Sequence, residues 1–489
     1  MIRLSSALFL FLVCSDFFAQ PNYSVSIVTN PSKGNIFFQV GGPPVKPVCI
    51  LDSSANLLFW DNWGLKGWDF KVNDNNMISY FDRSSKGWFI MDSLRNVIDS
   101  VYCLNGYIAD NHDFIALENG NYLLFAYDPQ PYAMDTVVNG GDPNATVEGL
   151  IIQELDSNHN LIFEWSSWNY FDITDNVTLD LTSSSIDFIH CNSIDIDFDG
   201  HLVISSRNLD EITKINRYSG EIIWRWGGAK NQFTIIGNDY PFSRQHSLRC
   251  LGNNRYFLFD NGNFSNQYTG TAKFSRAVEY ILDTANMTAQ KIWEFVHPDS
   301  LFSPSISNVQ RLSNGNSLIN FGNLQQSGMG SVVCEVDTNA QIVLELRFSN
   351  GQNLYRAHKF DWFFTFPGCL DTTACNFDST ANFSDGSCLF STFSYDTVSI
   401  EGSYFWNGTI LTTSGDYSVQ FLNSVGCDST AYLNLTITNS TSINETVQRP
   451  KKVVKILDAL GREIIPMRNT ILFFIYDDGS VEKKVILSN

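Results

Sequence analysis

The stretch HCNSIDIDFDGHLVISSRN, residues 190 to 208, and the following ITKINRYSGEIIWRWGG, residues 212 to 228, decide the fold. The first half has two short apolar strands around an Asp-Gly pair, and the second half repeats the hairpin. Asp-Gly and Asn-Gly pairs between short strands are typical of β-hairpin turns. The whole stretch therefore predicts one antiparallel sheet of four strands.

The same pattern recurs along the chain, which indicates a repeat architecture. Further copies begin at His112, His246 and Ser307, and a weaker one begins at Trp68. VCILDSSANLLFWDN, from Val48, is like the outer half of another copy, and we expect its inner half from residues 354–364. Closure by strands from both chain ends leaves no open ring edge. We predict an all-β fold in which residues 21–366 form a six-bladed β-propeller, within one blade, followed by small C-terminal β modules.

Composition limits the partners and the compartment. A net charge of −20 argues against nucleic acid and anionic membranes, because both attract clustered Lys and Arg. Residues 1–20 hold one basic residue before a short apolar run, which predicts a signal peptide; a lipoprotein attached at Cys14 is the alternative. No later segment is apolar for long enough to predict a transmembrane helix. Export permits disulfides, and the odd number of remaining cysteines leaves at least one thiol free or bound to another molecule.

Three histidines occupy the same place in successive copies. His112, His190 and His246 each begin a first strand, and first strands line the channel of a propeller, so we expect the three to meet near one mouth. Arg207 follows His190 by one hairpin, and Asn192 lies on the strand face of His190. A planar guanidinium beside imidazoles suits a tetrahedral oxyanion. The alternatives are a structural role for each histidine and a metal site, which Arg207 would disfavour by repulsion.

Motifs at these positions, in this order, are similar to those of one enzyme family. They are His112-Asp113-Phe114, His190-Cys191-Asn192-Ser193, Ser206-Arg207-Asn208, Gln245-His246-Ser247, Phe259-Asp260-Asn261-Gly262 and Ser275-Arg276-Ala277-Val278. The ordered set resembles the arylsulfotransferase (arylsulfate sulfotransferase) family, and the resemblance covers roughly residues 68–350. The resemblance implies a six-bladed propeller that moves sulfuryl groups from aryl sulfates to phenols through a covalent sulfohistidine, without the nucleotide donor PAPS.

The resemblance also implies roles for single residues. His246 would be the nucleophile, which suits a neutral imidazole near pH 7. Sulfuryl oxygens would be bound by His190, Asn192 and Arg207, and His112 would bind sulfate or act as acid and base. Further candidates for substrate binding are Arg276 and Asn308. The chain lacks an obvious N-terminal β-sandwich of the kind that pairs subunits in the better-known enzymes, so the oligomeric state stays open.

The sequence changes character after residue 366. Residues 367–390 form a Cys/Asp-rich module, in which carboxylates at regular spacing are candidate calcium ligands: Asp371, Asp378 and Asp385. A loop held by disulfides is the alternative that we favour, and the four cysteines from residue 369 to 427 allow three pairings. Residues 391–440 predict a small β-rich module. Residues 449–489 resemble the C-terminal sorting domain of the type IX secretion system.

The sequence thus predicts an exported aryl-sulfate sulfotransferase with small-molecule aryl sulfate and phenol substrates. Structural calcium is the one candidate cofactor. The type IX machinery would carry the protein through the periplasm to the outer surface or the medium. The alternative function is a non-catalytic secreted propeller that binds sulfated glycans or a surface partner, and a sulfatase would differ from both by releasing product without a phenol.

Overall fold

The computed structural model describes residues 20–42, 46–237, 239–439, 450–467 and 469–486. The chain forms two compact units, Met1–Phe366 and Pro367–Asn489. The signal-peptide prediction falls on residues outside the described ranges, apart from residue 20. Within the described ranges, no helix is both long and apolar enough to span a bilayer.

The described part of the first unit contains six antiparallel sheets of four strands, here named sheets I to VI and given from the innermost strand outward. Sheet I consists of Asn353–Phe360, Asn35–Gly41, Pro47–Leu51 and Leu57–Asn62. Sheet II consists of Trp68–Val72, Ile78–Asp82, Gly87–Met91 and Val97–Val101. Sheet III consists of Ala109–Ala116, Tyr122–Tyr132, Ala145–Leu155 and Leu161–Ser166, with Ser185–Asp187 parallel to its third strand.

Sheets IV to VI repeat the plan. Sheet IV consists of Cys191–Ile196, Leu202–Ser206, Glu211–Ile215 and Ile222–Gly227. Sheet V consists of His246–Gly252, Arg255–Asp260, Arg276–Asp283 and Thr288–Val296, with Thr234–Ile236 parallel to its outer strand. Sheet VI consists of Asn308–Arg311, Ser317–Phe321, Val332–Val336 and Ile342–Phe348, with Tyr23–Val28 antiparallel to its outer strand. Connections in the described chain include the α-helix Ser265–Thr269 and the 3-10 turns Met134–Thr136, Ser167–Asn169, Ile173–Asp175, Arg207–Leu209 and Gln325–Ser327.

Hydrophobic cores between neighbouring sheets close the ring. Phe125 of sheet III shares a buried cluster with Ile194 of sheet IV, and comparable clusters join each later pair. The last junction is made where Leu318 of sheet VI packs with Phe38 of sheet I. Most middle strands are therefore buried on both faces, which explains why they are mostly apolar. The predicted all-β, propeller-like architecture is confirmed.

Polar side chains link the innermost strands of adjacent sheets. Asn308 Nδ2 donates to the Ala357 carbonyl at 2.7 Å, and Asn308 Oδ1 accepts from the Ala357 N–H at 2.8 Å, which joins sheets VI and I. Ser193 Oγ accepts from the Leu248 N–H at 2.9 Å between sheets IV and V. These bonds satisfy backbone groups at the edges of the innermost strands.

Sheet I differs from the sequence expectation in one strand. Residues 354–364 were expected to supply its inner half, but they supply only the innermost strand. The second strand is Asn35–Gly41, whose five central residues are all buried, so it lacks the alternation by which a hairpin is found. The Asp-Gly turn in sheet IV is present, with Gly200 at φ +83°, a conformation that glycine adopts without strain.

The second unit is built from small sheets. Its strands are Pro367–Gly368, Phe383–Ser384, Thr392–Glu401, Tyr404–Trp406, Thr409–Leu411, Gly415–Leu422, Asp428–Thr438, Val453–Asp458, Ile471–Tyr476 and Val481–Val485. Disulfides join Cys369 to Cys388 and Cys375 to Cys427, which selects one of the three pairings that the sequence allowed.

The three candidate calcium ligands each accept a hydrogen bond within a turn of the Cys/Asp-rich module. Asp371 and Asp378 each accept hydrogen bonds from a threonine two residues later, and Asp385 accepts from the N–H of Ser387. Each carboxylate therefore caps its own turn. Within the described ranges, no group of three or more His, Cys, Asp or Glu has an arrangement that could hold a metal ion.

Candidate active site

The fold brings the three predicted histidines to one end of the channel. His246 begins the first strand of sheet V, His190 directly precedes that of sheet IV, and His112 lies inside that of sheet III, which extends further. The rings of His112 and His190 meet edge to face, with centroids 4.8 Å apart. The charges of Arg207 and of both other histidines act on His246. The predicted convergence therefore exists in the structure.

Hydrogen bonds fix the tautomer of His246. Its Nδ1 lies 2.7 Å from Asn261 Oδ1 and 3.0 Å from the Arg244 carbonyl oxygen. The Asn261 amide is itself oriented, because its Nδ2 donates to the carbonyls of Ser303 and Ile306. Both neighbours of Nδ1 are acceptors, so Nδ1 carries the proton and Nε2 carries the lone pair. Burial, together with the charge of Arg207, holds the pKa of His246 well below its ordinary value, so the ring is neutral at pH 7.

The other two histidines are each backed by a carboxylate. His112 Nδ1 lies 2.5 Å from Asp110 Oδ1, and His190 Nδ1 lies 2.5 Å from Asp187 Oδ2. Burial lowers the pKa of His190, and the bond to Asp187 opposes that shift. A carboxylate on Nδ1 accepts the Nδ1–H and leaves the Nε2 lone pair free in the neutral ring, and it stabilises the imidazolium that forms when Nε2 takes up a proton. The sequence analysis missed both aspartates, although each lies two or three residues before its histidine.

Arg207 carries a positive charge with no carboxylate on its guanidinium in the described chain. It begins the 3-10 turn after the second strand of sheet IV and donates to Asn208 Oδ1 at 2.8 Å and to the Pro304 carbonyl at 3.3 Å. Asn208 Oδ1 also accepts from Arg244 at 2.7 Å, so one amide orients two guanidinium groups. Burial and the charge of Arg244 lower the pKa of Arg207 to about 10, which leaves it cationic at pH 7. This is an arrangement that an incoming oxyanion would neutralise.

The three predicted substrate-binding residues have different environments. Asn192 is fully buried, its Nδ2 donates to the Gln245 carbonyl at 2.7 Å, and its Oδ1 has no partner among the described residues. Asn308 uses both amide atoms to join two innermost strands. Only Asn192 therefore keeps an unused polar atom next to the histidine cluster.

Arg276 lies away from the histidine cluster, and its side chain is wholly buried. It makes ion pairs with Asp239, Asp260 and Glu294. Asp260 Oδ1 in turn accepts from the N–H groups of Ser243 and Gly262, on the two segments that carry His246 and Asn261. The structure therefore gives Arg276 a supporting position behind the nucleophile segment, because its donors are already occupied by protein groups.

Two tyrosines pack against the histidine cluster. The ring centroid of His112 lies 6.1 Å from that of Tyr127 and 5.9 Å from that of Tyr355. The hydroxyl of Tyr127 donates to the Cys191 carbonyl, and the hydroxyl of Tyr355 donates to the His112 carbonyl. With both hydroxyls occupied by backbone, the rings contribute apolar surface. Composition alone could not select them, because the chain is rich in aromatic residues.

Comparison with known proteins adds the family. The sequence model described as Arylsulfotransferase (ASST) matches residues 48–356. A search of curated proteins returned no significant match. A protein of unknown function from Bacteroides caccae is similar at 13% identity and a TM-score of 0.43, with 68% of this chain and 100% of that chain covered. The Pseudomonas aeruginosa periplasmic gluconolactonase PpgL is similar at 11% identity and a TM-score of 0.38, with 67% and 99% covered. We draw no argument from these structural likenesses.

The match to the arylsulfotransferase sequence model identifies the family. It covers well over half of the chain and contains the whole histidine cluster, Arg207 and both tyrosines. It also spans most of the propeller-like ring, from sheet I to its closing strand. The chain belongs to the arylsulfotransferase family.

Proposed function

We propose that this protein transfers a sulfuryl group from an aryl sulfate to a phenol through a sulfohistidine on His246. One observation carries the proposal: a neutral imidazole with its Nε2 lone pair free stands among two carboxylate-backed histidines and an arginine that has no carboxylate partner in the described chain. A nucleophile surrounded by donors for an anion is what a double displacement at sulfur requires.

In the first displacement, His246 Nε2 attacks the sulfur of the aryl sulfate. The N–S bond forms as the bond from sulfur to the aryl oxygen breaks, and the aryl oxygen leaves with the electron pair. Arg207 stabilises charge on the sulfuryl oxygens, and His112 in its imidazolium form gives its Nε2 proton to the leaving phenolate. The Nδ1–H of His246 stays bonded to Asn261 and spreads the positive charge that the ring acquires.

In the second displacement, a phenol occupies the position of the departed aryl group. Its oxygen attacks sulfur, its proton passes to His112, and the N–S bond breaks to return the electron pair to His246 Nε2. Asp110 stabilises the imidazolium of His112 before the first step and after the second. The two displacements together return the protein to its starting state, with His246 free and His112 protonated.

We extend the proposal to the organisation of the chain. The six sheets are the blades of one propeller formed by residues 21–366, followed by the Cys/Asp-rich module 367–390, the β-rich module 391–440 and the sorting domain 449–489. Two disulfides in the second unit favour export, because such bonds persist in oxidising compartments. Cell fractionation of a chain ending before Pro450 tests the sorting role, with periplasmic retention as the expected result.

Turnover kinetics test the function. With 4-nitrophenyl sulfate as donor, purified protein should release nitrophenol at a rate that rises with added phenol, and phenyl sulfate should form in equal amount. Parallel lines in double-reciprocal plots would be expected of a double displacement. Release that is independent of phenol would make the protein a sulfatase, and donor binding without release would make it a binding protein; either result overturns the proposal.

A further inference from the structure

A second arginine occupies the same place in its sheet as Arg207. Arg83 is the first residue after the second strand of sheet II, as Arg207 is in sheet IV. Trp68 begins the first strand of sheet II, pairs with Phe81 two residues before Arg83, and corresponds in position to the histidines of sheets IV and V. The guanidinium carbon of Arg83 lies 4.2 Å from the Trp68 ring centroid. This second position faces the channel mouth from the side opposite sheets IV and V.

The Trp68 ring is continuous with the active site. It stacks on Tyr355, with centroids 4.6 Å apart and planes at 20°. Tyr355 in turn contacts His112 and bonds to its carbonyl oxygen. Arg83, Trp68 and Tyr355 therefore form an aromatic row that leads from a cation to the histidine cluster, and the row is about as long as a substituted phenol.

Donors in this row have no acceptor. Trp68 Nε1 and Arg83 Nε are buried atoms without a hydrogen-bond partner among the described residues. Leaving buried donors unpaired costs about 1–3 kcal/mol each, so a fold keeps them where a ligand satisfies them. The nearest carboxylate in sequence, Asp82, is occupied by Ser84.

The charge balance here is opposite to that of the whole chain. Neither Arg83 nor the half-buried Lys46 makes an ion pair within the described residues, although the chain carries a net charge of −20. The two cations are close enough to disfavour each other, since Arg83 lowers the pKa of Lys46 in addition to the effect of burial. An anion bound between them would relieve the repulsion and fill the empty acceptor position.

We propose that Trp68, Arg83 and Lys46 form a subsite for a carboxylate carried by the aromatic substrate. The proposal rests on the proposed function and names its substrate class: phenols, and their sulfates, with an anionic side chain remote from the reacting oxygen. The substrate ring lies along Tyr355 and Trp68, its oxygen points to the histidine cluster, and its carboxylate accepts from Arg83 Nε and Trp68 Nε1.

Matched acceptors test the subsite. With 4-nitrophenyl sulfate as donor, 3-(4-hydroxyphenyl)propanoate is compared with its amide, because the two phenols have nearly equal reactivity and differ only in remote charge. The wild type should show a KM about 10-fold lower for the propanoate, as expected of a charge-assisted hydrogen bond. Arg83→Met keeps the length of the side chain and should raise the KM of the propanoate about 10-fold while leaving that of the amide within about 2-fold.

The control variant is Arg95→Met. Arg95 lies in the outer turn of the same sheet, with its guanidinium carbon 4.7 Å from the Phe366 ring centroid. The substitution therefore removes an equivalent stacking contact that lies outside the aromatic row. It should leave both KM values unchanged. If Arg83→Met keeps the preference for the propanoate, or the wild type has none, the arginine serves only to stack on Trp68 and the subsite is overturned while the transfer reaction stands.

Direct binding separates the two proposals. Calorimetric titration of the wild type with the propanoate and the amide needs no turnover. If no acceptor receives a sulfuryl group, the proposed function fails. The carboxylate subsite still stands in that case if Arg83→Met, and not Arg95→Met, weakens binding of the propanoate about 10-fold. Equal binding of both compounds by both proteins would overturn the subsite as well.

Discussion

Two halves of the channel mouth use the same positions in the repeat for different chemistry. On one side, the first strands of sheets III to V present His112, His190 and His246, and their Nδ1 atoms are all engaged by protein acceptors. On the other side, sheets I and II present Tyr355 and Trp68, which stack on each other. The difference shows that the repeat sets where a side chain stands, while residue type decides whether the place serves the sulfuryl group or the aromatic ring.

Arg207 and Arg83 differ in the same way as the two halves of the channel mouth. Arg207 has hydrogen-bond partners on its guanidinium and a second guanidinium, that of Arg244, held by the same amide. Arg83 has an aromatic ring below it and an unused Nε donor. We therefore expect loss of Arg207 to affect every substrate and loss of Arg83 to affect only anionic ones.

The largest expected effect comes from His246→Ala. Removal of the nucleophile should lower kcat by roughly 10³-fold or more, because the covalent route is lost. The side chain is buried and hydrogen-bonded, so the variant should also lose about 1–2 kcal/mol of stability. Kinetics and thermal unfolding on the same preparation separate the two effects.

His297→Ala is the matched control for that loss of stability. His297 is equally buried, bonds to Glu345 at 2.9 Å, and is none of the three clustered histidines. It should destabilise the protein and leave kcat near the wild-type value. Mass spectrometry of donor-treated wild type should place one sulfuryl adduct on the peptide that carries His246, and an adduct on another histidine would refute the assignment.

The second-largest expected effect is the loss of kcat/KM in Arg207→Lys, and Arg83→Lys is the variant with which we compare it. Lysine keeps the charge and loses the planar fork, so Arg207→Lys should lower kcat/KM about 10²-fold for every acceptor if transition-state oxygens are held there. Arg83→Lys should lower kcat/KM by about 10-fold or less, and only for the carboxylate acceptor, because lysine keeps the charge and loses the Nε donor and the plane that stacks on Trp68. Similar losses in both variants would remove the distinction between the two halves.

The sequence predicts a feature well when the residues that form it lie close together in the chain. The hairpin turns, the recurrence of histidine at one repeat position and the place of Arg207 are local patterns, and each led to the right region. Partners on other strands and loops are not local: the ion pairs that occupy Arg276 join it to residues 16 to 37 positions away. Likewise, Asp110 and Asp187 look like ordinary turn residues until their histidines are seen to converge.

The Trp68 row shows the same limit for aromatic residues. Its members come from sheets I and II, and Trp68 and Tyr355 are far apart in sequence, so no window contains both. Their link arises because the ring closes with a strand from the C-terminal side. A site for a substrate ring formed in this way exists only once the ring of six sheets is closed. That closure depends on the whole first unit and not on any one segment of sequence.

The smallest expected effect is on the pH profile of kcat/KM. A pKa of His246 held well below its ordinary value means that the free base persists as pH falls, so activity should stay level through pH 6.5, where an unperturbed histidine would lose half its nucleophile. On the alkaline side, Arg207 has a pKa of about 10, so binding of the sulfuryl oxygens should weaken as pH rises through that value and the guanidinium loses its charge. Arg244→Met removes the neighbouring cation that lowers this pKa, so its alkaline limb should move above pH 10, whereas Arg217→Met, which breaks an ion pair with Glu154, should leave the limb in place. A wild-type acid limb centred at pH 6.5 would show that the pKa of His246 is not lowered. An alkaline limb that does not move in Arg244→Met would show that the charge of Arg244 does not lower the pKa of Arg207.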